Sequence, residues 1–171
     1  MDCRHIQFCI QGESSDRCYH PLDLQQLQNL FQLTAFWAQN RSLSDLEIAI
    51  HNSKPVVTAW DADQLIGFAR ATSDGIYRAT IWDVVIHPDY QGAGLGRKLV
   101  ETVLMHPHVH RAERVYLFTT HQQKFYERIG FEVNSSTTMV LLNHGVAQNG
   151  LQSPVEVSSC GISTVDRQGD R

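Results

Sequence analysis

The chain of 171 residues lacks several features that mark specialised classes of protein. No run approaches the roughly 18 consecutive apolar residues of a membrane-spanning helix, so we expect a soluble protein with no membrane partner. Basic residues are not in excess, since 14 Lys and Arg stand against 18 Asp and Glu and the formal net charge is −4. Without a surplus or a block of positive charge, nucleic acid is not an expected partner.

Cysteine is scarce and irregularly placed. The four cysteines are Cys3, Cys9, Cys18 and Cys160, and no two have the Cys-x-x-Cys spacing of a metal or redox site. The first residues also lack the continuous apolar core of a secretory signal. We therefore expect a reducing, cytoplasmic environment.

The composition changes near residue 145. From there to the end of the sequence no aromatic residue occurs, while Gly, Ser and Gln become frequent. Such a segment has little to bury. We expect residues 1–144 to form one domain and residues 145–171 to form a flexible tail, with a short strand around Val155 and Val157 as the alternative.

The hydrophobic pattern predicts strands and helices in mixed order. Strand-like segments lie at 5–11, 55–60, 65–72, 78–86 and 114–118, with a closing pair at FEV (131–133) and TMVLL (138–142). Helical periodicity covers 22–39, a segment beginning at Ser42 or Ser44, 95–105 and 122–129. The order βααβββαβαββ predicts an α/β (α+β) fold with a mixed sheet.

Three glycines in five positions, Gly92, Gly94 and Gly96, join the strand TIWDVVI to a strongly amphipathic helix. The unpaired amide groups at such a helix start, and the positive end of its dipole, form an anion site. Glycine adopts unusual φ angles and lets a phosphate approach the main chain, while Arg97 and Lys98 add positive charge. This stretch predicts a pyrophosphate-binding loop.

Two other phosphate motifs fit the same stretch poorly. The P-loop form requires Ser or Thr after its lysine, but Leu99 follows Lys98. The dinucleotide form needs a different glycine spacing and a strand that opens a βαβ repeat. A glycine-rich turn that binds nothing is the remaining alternative.

QGAGLGRKL (91–99) resembles the Q/RxxGxG/A signature of the GNAT superfamily of N-acetyltransferases, and KFYERIGFEV (124–133) is similar to that family's FYxxxGF segment. A closer resemblance, over residues 69–101, is to the plastid and cyanobacterial branch with serotonin (arylalkylamine) N-acetyltransferases and plastid protein lysine acetyltransferases. The resemblance covers about residues 3–143. It implies a GNAT-like mixed, mostly antiparallel sheet flanked by helices.

The resemblance also implies acetyl-CoA as the acetyl donor, with no metal. The residues expected to bind it are Val84, Val85, Ile86, Gln91, Gly92, Ala93, Gly94, Leu95, Gly96, Arg97, Lys98 and Thr120. Thr120 stands where that branch usually has Asn, so it offers only a shorter hydroxyl. The backbone amides of residues 84–86 are expected to stabilise the oxyanion of the reaction.

Acetyl transfer to an amine requires a neutral nucleophile. Removing the proton of an alkylammonium near pH 7 to 8 costs roughly 3 to 4 kcal/mol. Asp83 is the first candidate for the base, directly or through water, and His87 is a weaker one. The alternative for Asp83 is a structural carboxylate paired with Arg70 or Arg78.

The departing thiolate of CoA also needs a proton. The resemblance assigns that donation to Tyr126, and a phenol with a pKa near 10 is a competent donor. The alternative is that Tyr126 only packs against Phe125 and Phe131.

Other side chains have plain structural interpretations. His106, His108 and His110 follow one another in MHPHVHR, where an exposed loop is favoured over a metal site. Four aromatic residues can line an amine pocket or fill the core. They are Trp37, Trp60, Phe68 and Trp82.

The leading interpretation is an acetyl-CoA-dependent N-acetyltransferase that acts on a primary amine such as serotonin or tryptamine. One alternative acceptor is a lysine side chain or N-terminus of a protein. A second alternative is a non-catalytic sensor that binds acyl-CoA. The family resemblance adds the expectation of a homodimer.

Overall fold

The computed structural model describes residues 5–13 and 20–141. The strands of that part are β1 (Gln7–Ile10), β2 (Val56–Asp61), β3 (Gln64–Ser73), β4 (Arg78–Ile86) and β5 (Arg114–Tyr116). Its α-helices are α1 (Leu24–Thr34), α2 (Leu43–His51), α3 (Leu95–Met105), α4 (Pro107–His110) and α5 (Gln123–Glu127). A short 3-10 helix, Pro88–Tyr90, precedes α3.

The sheet follows the order of the chain. Its strands are arranged β1-β2-β3-β4-β5, and the first four pair with their neighbours in antiparallel fashion. β5 instead runs parallel to β4. The mixed, mostly antiparallel sheet with flanking helices confirms the predicted fold class.

Helices cover both faces of the sheet because successive strand residues point to opposite sides. Val57 and Ala59 of β2 belong to the core that contains Leu99 and Val103 of α3. Val56 and Trp60, from the same strand, belong to a second core built with α1 and α2. The apolar periodicity predicted for these helices is the reason that each presents one buried face.

The first two helices begin at polar caps. Asp23 accepts a hydrogen bond from the amide of Gln25 at the start of α1, and Ser42 accepts one from the amide of Asp45 at the start of α2. The sequence offered Ser42 or Ser44 for the second cap. Ser42 is the residue in the extended conformation that a cap requires.

The predicted closing pair of strands is wrong, since residues 131–141 contain no strand. Strand propensity reflects packing against neighbouring strands more than an intrinsic backbone preference, so two short runs of β-forming residues did not decide pairing. The chain divides into two units between Glu132 and Val133. The predicted tail, 145–171, lies outside the described residues.

The state of Cys9 differs from the reducing environment that the sequence suggested. Cys9 is buried and disulfide-bonded. Separately, the described helices include none with the length and apolar character needed to cross a membrane.

The histidine segment is a helix rather than the expected exposed loop. His108 and His110 are exposed, but the side chain of His106 is only 1% exposed. Its Nδ1 accepts from the amide of His108, so its Nε2 carries the proton and donates to Glu13 at 2.8 Å. His106 thereby caps α4. Within residues 5–13 and 20–141, no group of three or more acidic, His or Cys residues is placed to hold a metal.

We expect His106→Ala to lower the free energy of unfolding by about 1 to 2 kcal/mol, because it removes a helix cap and leaves a buried space. His110→Ala, on the exposed side of the same helix, is the matched control and should change it by less than about 0.5 kcal/mol. Urea denaturation measures both. Equal effects in the two variants would contradict the capping role.

Candidate active site

The pairing of β4 with β3 is irregular near the candidate site. The register between β3 and β4 shifts between Phe68 and Arg70, and Asp83 on the facing strand has a φ of 55°. Asp tolerates this left-handed conformation better than most residues, though it still costs roughly 1 to 3 kcal/mol. The pairing of β4 with β5 covers only Arg78 to Thr80. The part of β4 near the shift is therefore not covered by β5.

A cavity of about 1060 Å³ lies along this part of β4. Its walls come from β4, the glycine-rich loop, the start of α3, the segment after β5 and the α1–α2 connection. Small-molecule sites usually enclose roughly 300 to 1,000 Å³, so the cavity has room for a long ligand together with a second one.

Nearly all residues predicted for the site line this one cavity. They are Asp83, Val84, Val85, Ile86, Gln91, Gly92, Gly94, Leu95, Gly96, Arg97, Thr120 and Tyr126. Ala93 and Lys98 are not in the lining. The Lys98 ammonium lies 4.5 Å from the centre of the Phe8 ring, on the side of α3 that faces β1.

The glycine-rich loop has the backbone form of an anion site. Gly92 and Gly94 have φ angles of 80° and 81°, which disfavour residues with a Cβ, and no protein atom lies within 4 Å of where a Cβ would be. Gly94 begins α3 without a side-chain cap, so the next amide groups lack an acceptor inside the helix. The loop thus offers free N–H donors at the positive end of a helix.

Two side chains hold the loop in place. The Nε2 of Gln91 donates to the carbonyl of Ile86 at 3.0 Å, which ties the loop back to β4. The hydroxyl of Tyr90 donates to Asp61 at 2.6 Å and is the main reason that the pKa of Asp61 lies below its usual value. Gln91 therefore supports the loop with its side chain, and because it also lines the cavity its contact with the ligand stays a prediction.

Asp83 lies between two arginines. Its Oδ2 accepts from Nε of Arg70 at 2.7 Å and from Nη1 of Arg41 at 2.9 Å, and its side chain is 5% exposed. Burial pushes the pKa of Asp83 up, but the two guanidinium groups outweigh burial and hold that pKa below its usual value. Arg78 pairs with Glu113 instead. Of the two partners named for a structural carboxylate, Arg70 is the one present.

Tyr126, in α5, lines the same cavity as β4. Its ring packs edge-to-face against Phe125 and Phe131, with ring centres 4.9 Å and 5.9 Å apart, so the ring orientation is fixed on two sides. Burial raises the pKa of Tyr126 above its usual value of 10.0. The phenol consequently stays protonated throughout the physiological pH range.

Two aromatic pairs line the cavity. Phe36 and Trp37 meet edge-to-face in the α1–α2 connection, and Trp82 stacks on Phe118. Of the four aromatic residues singled out in the sequence, Trp37 and Trp82 line the cavity. Trp60 and Phe68 lie in the core, with 2% and 1% exposure.

Several lining residues gave no signal in the sequence. Arg41 lies in a connection between two helices, and only the fold brings it to Asp83, 42 positions away. Phe118, His121 and Arg128 follow β5, where the expected motif drew attention to Tyr126 alone. His87 was a candidate base, but it does not line this cavity. Its Nδ1 accepts from the amide of Asp89.

The comparisons with known proteins agree with this geometry. The model of the acetyltransferase (GNAT) family matches residues 24–131, which include α1, the whole glycine loop and Tyr126. The chain belongs to the GNAT family of acetyltransferases. Members of this family take the acetyl group from acetyl-CoA, and the glycine loop and cavity described above fit such a donor.

One of the GNAT relatives matches this chain over most of the length of both proteins. The uncharacterized N-acetyltransferase ycf52 of Pyropia yezoensis is 36% identical over 134 residues, which cover 75% of this chain and 74% of the relative. The histone acetyltransferase TAP1 of Glycine max is 38% identical over 106 residues, covering 55% of this chain and 46% of that protein. The chain thus spans about half the length of some relatives that it matches.

Solved structures show the same fold. A GNAT family acetyltransferase from Streptococcus pneumoniae superposes with a TM-score of 0.64 at 25% sequence identity. The superposition covers 82% of this chain and 99% of that one.

We expect Gly94→Val to abolish binding of acetyl-CoA, because a branched side chain at a φ of 81° strains the loop and blocks the approach to its amides. Gly12→Val is the matched control, since Gly12 has a φ of 78° with equally open surroundings and does not line the cavity. Isothermal titration with CoA compares the two variants with the unaltered chain. Unchanged affinity in Gly94→Val would show that the phosphates bind elsewhere.

Proposed function

We propose that the chain transfers the acetyl group of acetyl-CoA to the primary amine of a small arylalkylamine, of the serotonin or tryptamine type, by direct attack on the thioester. The observation that carries this proposal is the single cavity that joins the anion-binding loop, Tyr126 and two aromatic pairs. A donor with phosphates and an acceptor with a ring can occupy its two ends together.

The loop and β4 hold the donor. The amides following Gly94 bind the diphosphate, with Arg97 nearby. Residues 84–86 lie in the part of β4 that β5 does not cover, so their backbone groups can pair with the amides of the pantetheine arm as an added strand does. A backbone N–H of the same segment is available to the developing oxyanion.

Tyr126 donates the proton that the thiolate of CoA takes as the carbon–sulfur bond breaks. The acetylated nitrogen releases one proton to solvent, and solvent returns one to the phenolate of Tyr126. Its raised pKa keeps the proton on the phenol until that step, and its two aromatic contacts hold the ring in the cavity wall. The phenol is a suitable general acid because a thiolate formed in a closed site is a strong base.

The structure favours a change to the first hypothesis for the base, which was that Asp83 takes the proton of the amine. The lowered pKa of Asp83 makes its carboxylate a poor acceptor for the proton of an alkylammonium, whose pKa is near 10.4. We therefore propose that the amine loses this proton to bulk solvent before it binds, at the cost of roughly 3 to 4 kcal/mol near pH 7 to 8, and that Asp83 is the structural partner of Arg70 and Arg41.

The charge at the acceptor end supports a small amine with one ionisable group. Two guanidinium groups, those of Arg41 and Arg70, face one carboxylate, that of Asp83, so the cluster carries a net charge of +1. Positive surroundings favour the neutral form of an amine and oppose a polycation such as a lysine-rich segment.

A protein lysine is the second candidate acceptor, and one observation favours it. The rings of Phe36 and Phe118 are 70% and 61% exposed at the cavity, and exposed aromatic side chains are typical of protein contacts. The name of the soybean relative, a histone acetyltransferase, points the same way. A non-catalytic sensor is the third candidate, and the position of Tyr126 in the cavity argues against it.

We infer the cellular compartment of the protein from its relatives rather than from its cysteines. GCN5-related N-acetyltransferases 1 and 2 of Arabidopsis thaliana are 31% and 46% identical over 113 and 72 residues, covering 56% and 28% of those proteins, and both are named chloroplastic. We propose a chloroplast or an equivalent compartment in place of the cytoplasm. Whether the chain forms a homodimer stays a prediction.

We expect Tyr126→Phe to lower kcat by on the order of 10² to 10⁴ while the affinity for acetyl-CoA is kept, because only the transferable proton is lost. Tyr77→Phe is the matched control, since Tyr77 is exposed in the β3–β4 turn. Release of CoA is measured with serotonin, tryptamine, polyamines and lysine peptides.

We expect turnover to be higher with serotonin and tryptamine than with polyamines and peptides. Equal kcat in Tyr126→Phe and the unaltered chain would remove Tyr126 from the mechanism. Preference for the peptides would replace the arylalkylamine with a protein acceptor, and acetyl-CoA binding without release by any amine would favour the sensor.

A further inference from the structure

The connection between α1 and α2, residues 35–42, forms one wall of the amine end of the cavity. It carries Phe36 and Trp37, which line the cavity with their rings in contact. It also carries Arg41, whose guanidinium group lies 5.5 Å from the centre of the Phe31 ring of α1. The carbonyl of Arg41 accepts a hydrogen bond from Gln28 at 3.0 Å. The backbone at Arg41 is thus held to α1, and its side chain reaches across to β4.

The carboxylate of Asp83, which binds Arg41, is also held by Arg70 of β3. Oδ2 of Asp83 accepts from both Arg41 and Arg70, and Arg70 also donates from Nη1 to the hydroxyl of Ser53 at 3.0 Å. Because Asp83 is nearly buried and sits in a left-handed backbone conformation, it has little freedom to follow a moving partner. One oxygen therefore joins the α1–α2 connection to the sheet.

We propose that Arg41 is a positioning residue for the acceptor. Through Asp83 it holds residues 35–42 against β4 and so sets the place of the Phe36 and Trp37 rings, without touching the reacting atoms. Removing it loosens the amine end of the cavity and leaves the diphosphate loop and Tyr126 unchanged. This inference rests on the proposed function only for the identity of the acceptor.

The kinetic test separates the two ends of the cavity. We expect Arg41→Met to raise KM for the best amine by on the order of tenfold, while kcat and KM for acetyl-CoA stay within about twofold. Arg41→Lys keeps a cation that can reach Asp83 and should recover most of the loss. Arg111→Met, an exposed arginine after α4 that does not line the cavity, is the matched control. An unchanged amine KM in Arg41→Met would overturn the proposal.

A double-mutant cycle distinguishes action through Asp83 from direct contact with the acceptor. If Arg41 acts through Asp83, adding Asp83→Asn to Arg41→Met raises the amine KM by less than about twofold beyond the larger single effect. If the two changes multiply, Arg41 works independently of Asp83 and the proposal is wrong.

Amide hydrogen exchange tests the attachment without any amine. Arg41→Met should speed exchange in residues 35–42 by about tenfold, while β3 and β4 keep their protection. Unchanged exchange in 35–42 would refute the attachment, even if Asp83→Asn fails to fold. Should no amine be acetylated by the unaltered chain, the proposed function fails, and the exchange measurement still decides the role of Arg41.

Discussion

The left-handed turn of the main chain at Asp83 is the feature on which the rest of the site depends. It coincides with the shift in register between β3 and β4, and β5 has stopped pairing with β4 before this point. The side chain of the strained residue is held by two arginines from different parts of the chain. Those contacts help to hold a backbone conformation that costs roughly 1 to 3 kcal/mol.

The cavity along this part of β4 is lined by two chemically different sets of groups. One set consists of the amides at the start of α3, which suit phosphate groups. The other consists of aromatic rings and the ion pair of Arg41 with Asp83, which is the basis of the proposed aromatic acceptor. Tyr126 lies in the wall of the same cavity, as its proposed role of proton donor requires.

Sequence reasoning predicted the parts that depend on local pattern. The periodicity of residues 95–105 and the alternation of 78–86 gave α3 and β4 at their observed bounds, and the glycine spacing located the anion loop. It failed where distant contacts decide. The ion pair of Arg41 with Asp83 joins residues 42 positions apart. The strand predicted at residues 131–133 is absent because the β propensity of a short run does not establish that a neighbour pairs with it.

Lys98 and Gln91 show a finer limit of the same reasoning. A motif identifies a residue but not the direction of its side chain. Lys98 lies over Phe8, and the Nε2 of Gln91 donates to the carbonyl of Ile86. Burial of His106 within a run of polar histidines is a similar case, because only the fold supplies its partner Glu13.

A crystal structure of the chain with CoA tests the central claim most directly. The account predicts diphosphate oxygens within about 2.7 to 3.2 Å of amide nitrogens between residues 92 and 97, and the sulfur facing the hydroxyl of Tyr126. CoA bound away from the start of α3, or a Tyr126 hydroxyl directed away from the sulfur, would contradict it.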